Sequence, residues 1–428
     1  MTFATTNRRR SFQLAAKNLQ CRECQAVYPL DARYVCERCF GPLEVAYSHG
    51  SLAGDIPGLR RRIQGGPQNI WRYADFLPLE GPQPRTRTGL PAGCTPLIRA
   101  DRLARRLGLR EVWVKNDAAN PTHSFKDRVV SVASARAREL GFEVLACAST
   151  GNLANSVAAH GAALGMQTYV FIPADLEEQK VLATGVYGTN LVKVRGNYDD
   201  VNRLCTELSG ERDWAFVNVN MRPYYAEGSK TLAFETAEQL GWETPDHVVV
   251  PMASGSLLTK IRKGFEELHK VGLLDEEPHV RVSGAQALGC SPIATAWIEQ
   301  SDTIRPVKPD TIAKSLAIGN PADGYFALDA VRNSEGGFAA VTDGEIVEGM
   351  ELLAKTEGIF AETAGGVTIA TLQKLAADGV VRPDEQVVVY ITGHGLKTLE
   401  AVAPTSGPTA TIAPTLDAFH GAFDIEEA

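Results

Sequence analysis

From Val112 onward the chain alternates short β-branched runs with longer stretches in which apolar positions return every three or four residues. The runs at 112–115, 144–148, 168–172, 190–194, 216–219, 247–251, 281–286 and 386–391 predict strands. Stretches at 153–164, 199–208, 228–240 and 257–268 predict the helices between them. Continuous apolar strands separated by amphipathic helices indicate parallel sheets covered on both faces. Seven or more such units exceed one small sheet, so the expected fold class is α/β with two open parallel-sheet domains. In such sheets ligands gather beyond the carboxyl ends of the strands, which directs attention to the strand-to-helix turns.

Outside this region the pattern changes. Residues 1–50 read as a cysteine-bearing head, and 50–92, rich in Pro, Gly and Arg, as a connecting layer. The expected organisation is a head at 1–50, a catalytic region at 51–405 and an extended Pro/Thr/Ala-rich tail at 406–428. Within the catalytic region a smaller α/β subdomain is expected at about 128–215, with the larger one built from the remainder.

The head holds four of the eight cysteines, as Cys21-x-x-Cys24 and Cys36-x-x-Cys39 with eleven residues between the pairs. Two such knuckles can place four thiolates tetrahedrally around zinc, at about 2.3 Å from the metal. Disulfides, or a ribbon that keeps its ligands without a metal, are the other readings of the spacing. A site closed by four sulfurs leaves no position for substrate, so the metal's role would be structural.

Composition narrows the function. The 428 residues are 44% hydrophobic and 22% charged, ordinary globular values. A net charge of −8, with no basic block beyond Arg8-Arg9-Arg10 and Arg60-Arg61-Arg62, gives no electrostatic footprint for nucleic acid. No run approaches the roughly 18 apolar residues of a membrane helix. The start at residues 7–14 is superficially like a twin-arginine export signal, but Lys17, Asn18 and Gln20 interrupt the apolar core such a signal needs. A cytoplasmic protein is expected.

The chemistry is expected at four turns. Lys126 stands at a helix start within 120–129, after an Asn-Pro-Thr turn, where a partly desolvated amine becomes a nucleophile. After 144–148 come Ser149, Thr150, Gly151 and Asn152, a small-residue helix opening with free backbone amides. After 247–251 come Ala253, Ser254, Gly255, Ser256 and Leu257, suited to a phosphate monoester at a helix N-terminus. This turn lacks the Lys-Ser/Thr ending of a nucleotide P-loop. After 386–391, Thr392 ends a strand before Gly393-His394-Gly395. Each turn alone is an ordinary cap. Together, a lysine, an asparagine, a phosphate cradle and a terminal hydroxyl suit one aromatic aldehyde cofactor, pyridoxal phosphate.

The stretches 120–128, 148–152, Glu227-Gly228-Ser229-Lys230-Thr231 and 392–397 resemble the threonine synthase family of fold-type II pyridoxal-phosphate enzymes, over roughly residues 90–400. The ribbon-like head and the run 221–226 resemble a bacterial subgroup of it. The resemblance implies a tryptophan synthase β-like fold and conversion of O-phospho-L-homoserine and water into L-threonine and phosphate. It implies Lys126 as Schiff-base lysine and proton shuttle, Asn152 on the ring oxygen, Ala253 through Leu257 on the cofactor phosphate and Thr392 facing the ring nitrogen. Ser149 and Thr150 would help hold the substrate. A homodimer is the common assembly of that fold.

Two departures stand out. His123 replaces a glycine common in the family, and it either packs or lines the substrate pocket. The stretch between Asn218 and Glu227 departs from the pattern that holds substrate phosphate in relatives. Asn218, Asn220, Arg222, Tyr224 and Tyr225 are the local candidates there, and Asn218 and Arg222 are expected to hold the substrate. Competing readings are a cysteate-synthase-like enzyme acting on O-phosphoserine, a threonine or serine dehydratase, and a non-catalytic scaffold whose ribbon binds a partner.

Overall fold

Apolar side chains on successive residues of one strand enter different cores, because strand side chains alternate between faces. In the strand His247–Pro251, Val248 and Val250 join one buried cluster and Val249 another. In Gln386–Ile391, Val388 and Tyr390 face the first cluster, whereas Val387, Val389 and Ile391 face the second. The computed structural model describes residues 16–79, 89–149, 151–174, 178–196 and 198–423. The export-like start and Thr150 lie outside them.

The strands form three sheets. β1 (Ala16–Cys21), β2 (Val27–Tyr28) and β3 (Leu43–Tyr47) make an antiparallel ribbon in the order β2-β1-β3. β4 (Leu97–Arg99), β5 (Glu111–Asn116), β10 (His247–Pro251), β11 (Arg281–Ala287), β12 (Phe338–Val341) and β13 (Gln386–Ile391) form the large sheet, in the order β12-β11-β10-β13-β5-β4. β6 (Val144–Ala148), β7 (Gln167–Pro173), β8 (Asn190–Val194) and β9 (Ala215–Phe216) form the parallel small sheet β8-β7-β6-β9.

Three expectations are corrected. The large sheet is not wholly parallel, because β4 pairs antiparallel with β5 at the edge. The run 216–219 is strand only at its start. Val219 and Met221 both donate backbone bonds to the Phe216 carbonyl and turn the chain into the helix Arg222–Glu227. The tail, expected to be extended, closes into the helix Leu416–Ala422, capped by the Thr415 hydroxyl accepting from the Ala418 amide.

The ribbon is not a separate bead. Leu19, Cys21, Cys36, Leu43 and Val45 share one buried cluster with Val129, Val130 and Ala133 of the helix Lys126–Glu139, and with Met221 and Tyr224. Each fully buried aliphatic side chain there contributes about 1.5–3 kcal/mol. No helix among the described residues is long and apolar enough to cross a membrane.

Candidate active site

Buried charge fixes the start of the helix Lys126–Glu139. Arg128 is fully buried, donating to Asp117 at 2.7 and 2.8 Å and to Glu235 at 2.6 and 2.7 Å. Lys115, also fully buried, donates to Glu235 at 2.7 Å. Burial alone would raise the Glu235 pKa, but Arg128 and Lys115 hold it well below the usual carboxylate range. Asp127 accepts from the Thr122 amide at 2.6 Å, the Thr122 hydroxyl at 2.7 Å and the Ser156 hydroxyl at 2.6 Å. These bonds lock the turn that presents Lys126.

The Lys126 amine reaches the Tyr225 hydroxyl at 3.0 Å and lies over the Phe125 ring, 4.5 Å from its centroid. Its turn is joined by backbone to the end of β13. The Phe125 amide donates to the Thr392 carbonyl at 2.9 Å, and the His394 amide donates to the His123 carbonyl at 3.1 Å. Thr392 is buried. His123 does not enter the core; it is exposed, has a φ of 61° and sets its ring edge-on to His394.

Asn152 opens the helix Asn152–Leu164 and brings in a residue the sequence did not single out. Its amide donates to both oxygens of Glu362, at 3.1 and 2.9 Å, and the Glu362 amide donates to the Gly393 carbonyl at 3.0 Å. Glu362 is buried, and burial raises its pKa above the usual value despite Asn152, Lys397 and Lys126. A Cβ on Gly393 would lie 2.4 Å from that carboxyl, so glycine here lets the Glu362 side chain sit against the turn. A buried carboxyl at a helix start carries no signature of its own in a single sequence.

The loop of Ala253, Ser254, Gly255, Ser256 and Leu257 leads into the helix Ser256–Lys270, which has no side-chain cap and no acidic residue in its first turn. Gly255 has a φ of 92°, and a Cβ would lie 2.8 Å from the Asp323 carbonyl. A glycine followed by amides that meet no side chain among the described residues beyond the Ser254 hydroxyl, 3.5 Å from the Ser256 amide, is a cradle that fits a phosphate.

The structure also sorts the substrate candidates. Ser149 is buried, and its hydroxyl accepts from the Gly151 amide at 3.4 Å. Asn218 directs its amide at the Ala148 carbonyl at 3.5 Å, and its side-chain oxygen is buried with no partner among the described residues. Asn220 is engaged at both ends, by the Phe216 amide and the Trp214 carbonyl. Tyr224 is buried and donates to the Asp31 carbonyl. Arg222 pairs with Asp323 at 2.7 Å. Tyr225 is the candidate the structure brings to the Lys126 amine.

In the ribbon the Sγ atoms of Cys21, Cys24, Cys36 and Cys39 all lie within 4.8 Å of one another. A tetrahedral set at about 2.3 Å from zinc needs sulfurs about 3.8 Å apart, so the cluster is compatible with one four-coordinate metal ion.

Residues 89–393 match the family model described as pyridoxal-phosphate dependent enzyme. The threonine synthase of Methanocaldococcus jannaschii is 41% identical over 392 residues, covering 90% of this chain and 94% of the relative. That of Methanosarcina acetivorans is 37% identical, covering 95% and 98%. Among solved structures, the processed form of threonine deaminase isoform 2 from Solanum lycopersicum gives a TM-score of 0.61 at 19% identity, covering 82% of this chain and 89% of that one. Diaminopropionate ammonia lyase from Escherichia coli, in complex with a reaction intermediate, gives 0.61 at 19%, covering 82% and 91%. At these identities the solved structures establish the fold-type II architecture.

Proposed function

The chain belongs to the family of pyridoxal-phosphate dependent enzymes, and on that premise we propose that it is a threonine synthase, turning O-phospho-L-homoserine and water into L-threonine and phosphate. The observation that carries this reading is likeness to threonine synthases over nine-tenths or more of both chains. The geometry supports it with the Lys126 amine beside the Tyr225 hydroxyl, on a turn bonded by backbone to the end of β13 at Thr392.

The cofactor, when bound, supplies an electron sink that acidifies the carbon next to the substrate amine. Lys126 carries the cofactor, and its Nζ moves protons at the substrate's Cα and Cβ. The Tyr225 hydroxyl, 3.0 Å away, orients that nitrogen. Ala253, Ser254, Gly255, Ser256 and Leu257 hold the cofactor phosphate through backbone amides and the helix dipole. Asn152 meets the ring oxygen and is itself oriented by Glu362. Thr392 presents a neutral hydroxyl to the ring nitrogen. Ser149, Thr150, Asn218 and Arg222 hold the substrate, Asn218 through the carbonyl oxygen that has no partner in the fold among the described residues. Zinc held by Cys21, Cys24, Cys36 and Cys39 serves to fold the ribbon.

Phosphate release from O-phospho-L-homoserine tests the reading. Wild type should release phosphate and form threonine. Lys126→Ala should lose both the visible band of the lysine-bound cofactor and at least about 100-fold in rate. A strong preference for O-phosphoserine would overturn the substrate assignment.

A further inference from the structure

The ribbon brings a side chain to the back of the loop at Ser254. Arg22 lies inside the first knuckle, between Cys21 and Cys24, and its amide donates to the Pro42 carbonyl at 3.0 Å. Its guanidinium stacks 3.5 Å from the centroid of the Phe326 ring, with Nη1 3.8 Å from one oxygen of Asp323. The other oxygen of Asp323 accepts from Arg222 at 2.7 Å. Two guanidinium groups from distant parts of the chain thus meet on one buried carboxylate. Asp323 is fixed behind the phosphate loop, its amide donating to the Ser254 carbonyl at 3.0 Å.

A small cavity of about 20 Å³, room for about one water molecule until Asp323 moves, lies at this junction, lined among others by Arg22, Arg222, Lys260, Ser256, Asp323 and Glu44. Lys260 is committed to Glu44 and to the buried Glu227. Arg22 and Arg222 are left with a single carboxylate between them, so one positive charge is uncompensated. The cavity also touches Ala226, next to Tyr225, whose hydroxyl reaches Lys126. Planar guanidinium groups bind phosphate oxygens bidentately, and a phosphate monoester carries nearly the charge of two arginines.

We propose that the cysteine ribbon completes the substrate-phosphate site: Arg22 joins Arg222 as a second guanidinium for the phosphate monoester of the substrate, which displaces Asp323 as it enters. This deepens the threonine synthase reading and rests on it. The ligand chemistry, a phosphate monoester, is common to substrate and cofactor, and Ser256 borders this cavity as well as belonging to the cofactor loop, so cofactor affinity is read separately.

The test uses the full-length holoenzyme, with Arg22→Gln, Arg22→Lys and Asp323→Asn variants. The readouts are KM and kcat, inhibition by inorganic phosphate, and cofactor affinity from the visible spectrum. Arg22→Gln should raise both KM and the phosphate inhibition constant about tenfold, with kcat within about twofold. Asp323→Asn should lower the phosphate inhibition constant, because it frees both arginines. If Arg22→Gln undocks the ribbon and lowers Tm, Arg22→Lys decides, since it keeps the charge and loses the planar fork. A severalfold weaker phosphate inhibition at unchanged Tm supports the proposal. Unchanged phosphate inhibition in Arg22→Gln and Arg22→Lys overturns it, as does a loss confined to cofactor affinity. Should wild type act on O-phosphoserine instead, the threonine synthase reading fails, whereas phosphate inhibition measured against that substrate still decides on Arg22.

Discussion

Two side chains decide how the Lys126 amine and Asn152 are held. The Tyr225 hydroxyl is 3.0 Å from the Lys126 nitrogen. Tyr225→Phe deletes one hydrogen bond worth about 1 kcal/mol, so kcat/KM should fall about fivefold while the cofactor remains bound. An unchanged kcat/KM would remove Tyr225 from the site. Glu362 is buried behind Asn152, and burial raises its pKa. A carboxyl with a raised folded pKa contributes stability that is full below the unfolded value, about 4.3, and is lost as pH rises through the folded value. Glu362→Gln lacks that loss. Its Tm relative to wild type should therefore increase from pH 4 to pH 8, and a flat difference across that range would contradict the buried, raised carboxyl. Neither residue stands out in the sequence: Tyr225 is one of five local candidates and Glu362 is not among them.

At the scale of elements, the site is a meeting of helix starts, and close backbone contact keeps them in register. The segment Glu227-Gly228 presses on the Lys126 helix so closely that a Cβ on Gly228 would lie 2.5 Å from the Arg128 carbonyl and 2.6 Å from the Val129 Cα. Gly228→Ala should cost about 1–3 kcal/mol through overpacking, a fall in Tm of several degrees. It should also part Tyr225 from Lys126, lowering kcat. A variant with wild-type Tm would show that the two segments yield. The runs 144–148, 247–251 and 386–391 match their strands because largely apolar runs ending at small-residue turns admit few other structures. β4 and β12 went unread, being strands of three and four residues at the two edges of the large sheet. Edge strands owe their state to a neighbour rather than to a periodic pattern of their own.

Across the whole molecule, the ribbon is bound to the catalytic body by charge as well as by apolar packing. Glu44 and Tyr47 of β3 meet Lys260, Lys263 and Glu227, the Tyr47 hydroxyl donating to Glu227 at 2.7 Å. Burial would raise the Glu44 pKa, but Lys260 and Lys263 hold it down to about 2. Beside it, burial holds the His49 pKa down to about 4, with Lys230 and Lys263 acting in the same direction. Both folded values are depressed. His49 therefore withdraws stability as pH falls from about 6.5 to about 4, and Glu44 as it falls from about 4.3 to about 2. Limited proteolysis near residues 48–55 should accelerate over this span. Glu44→Gln should be cleaved faster at neutral pH and show a weaker acid dependence below about pH 4.3. Equal acid profiles for the two proteins would mean that apolar packing alone holds the ribbon.

The sequence by itself determined the α/β class, the cysteine spacing and the turns at Lys126, Asn152, Gly255 and Thr392. Local rules govern these features: apolar periodicity sets strand and helix, and small residues mark turns where backbone amides stay free. Only the tertiary structure decided that Asn152 meets Glu362, that Tyr225 rather than Tyr224 faces Lys126, and that Arg22 arrives beside Arg222 on Asp323. These partners lie 210, 99 and 301 residues apart in the chain for Glu362 from Asn152, Tyr225 from Lys126 and Asp323 from Arg22. No local pattern encodes such pairings; they exist because two sheets and a ribbon bury their apolar faces together and so bring each pair of polar groups within reach.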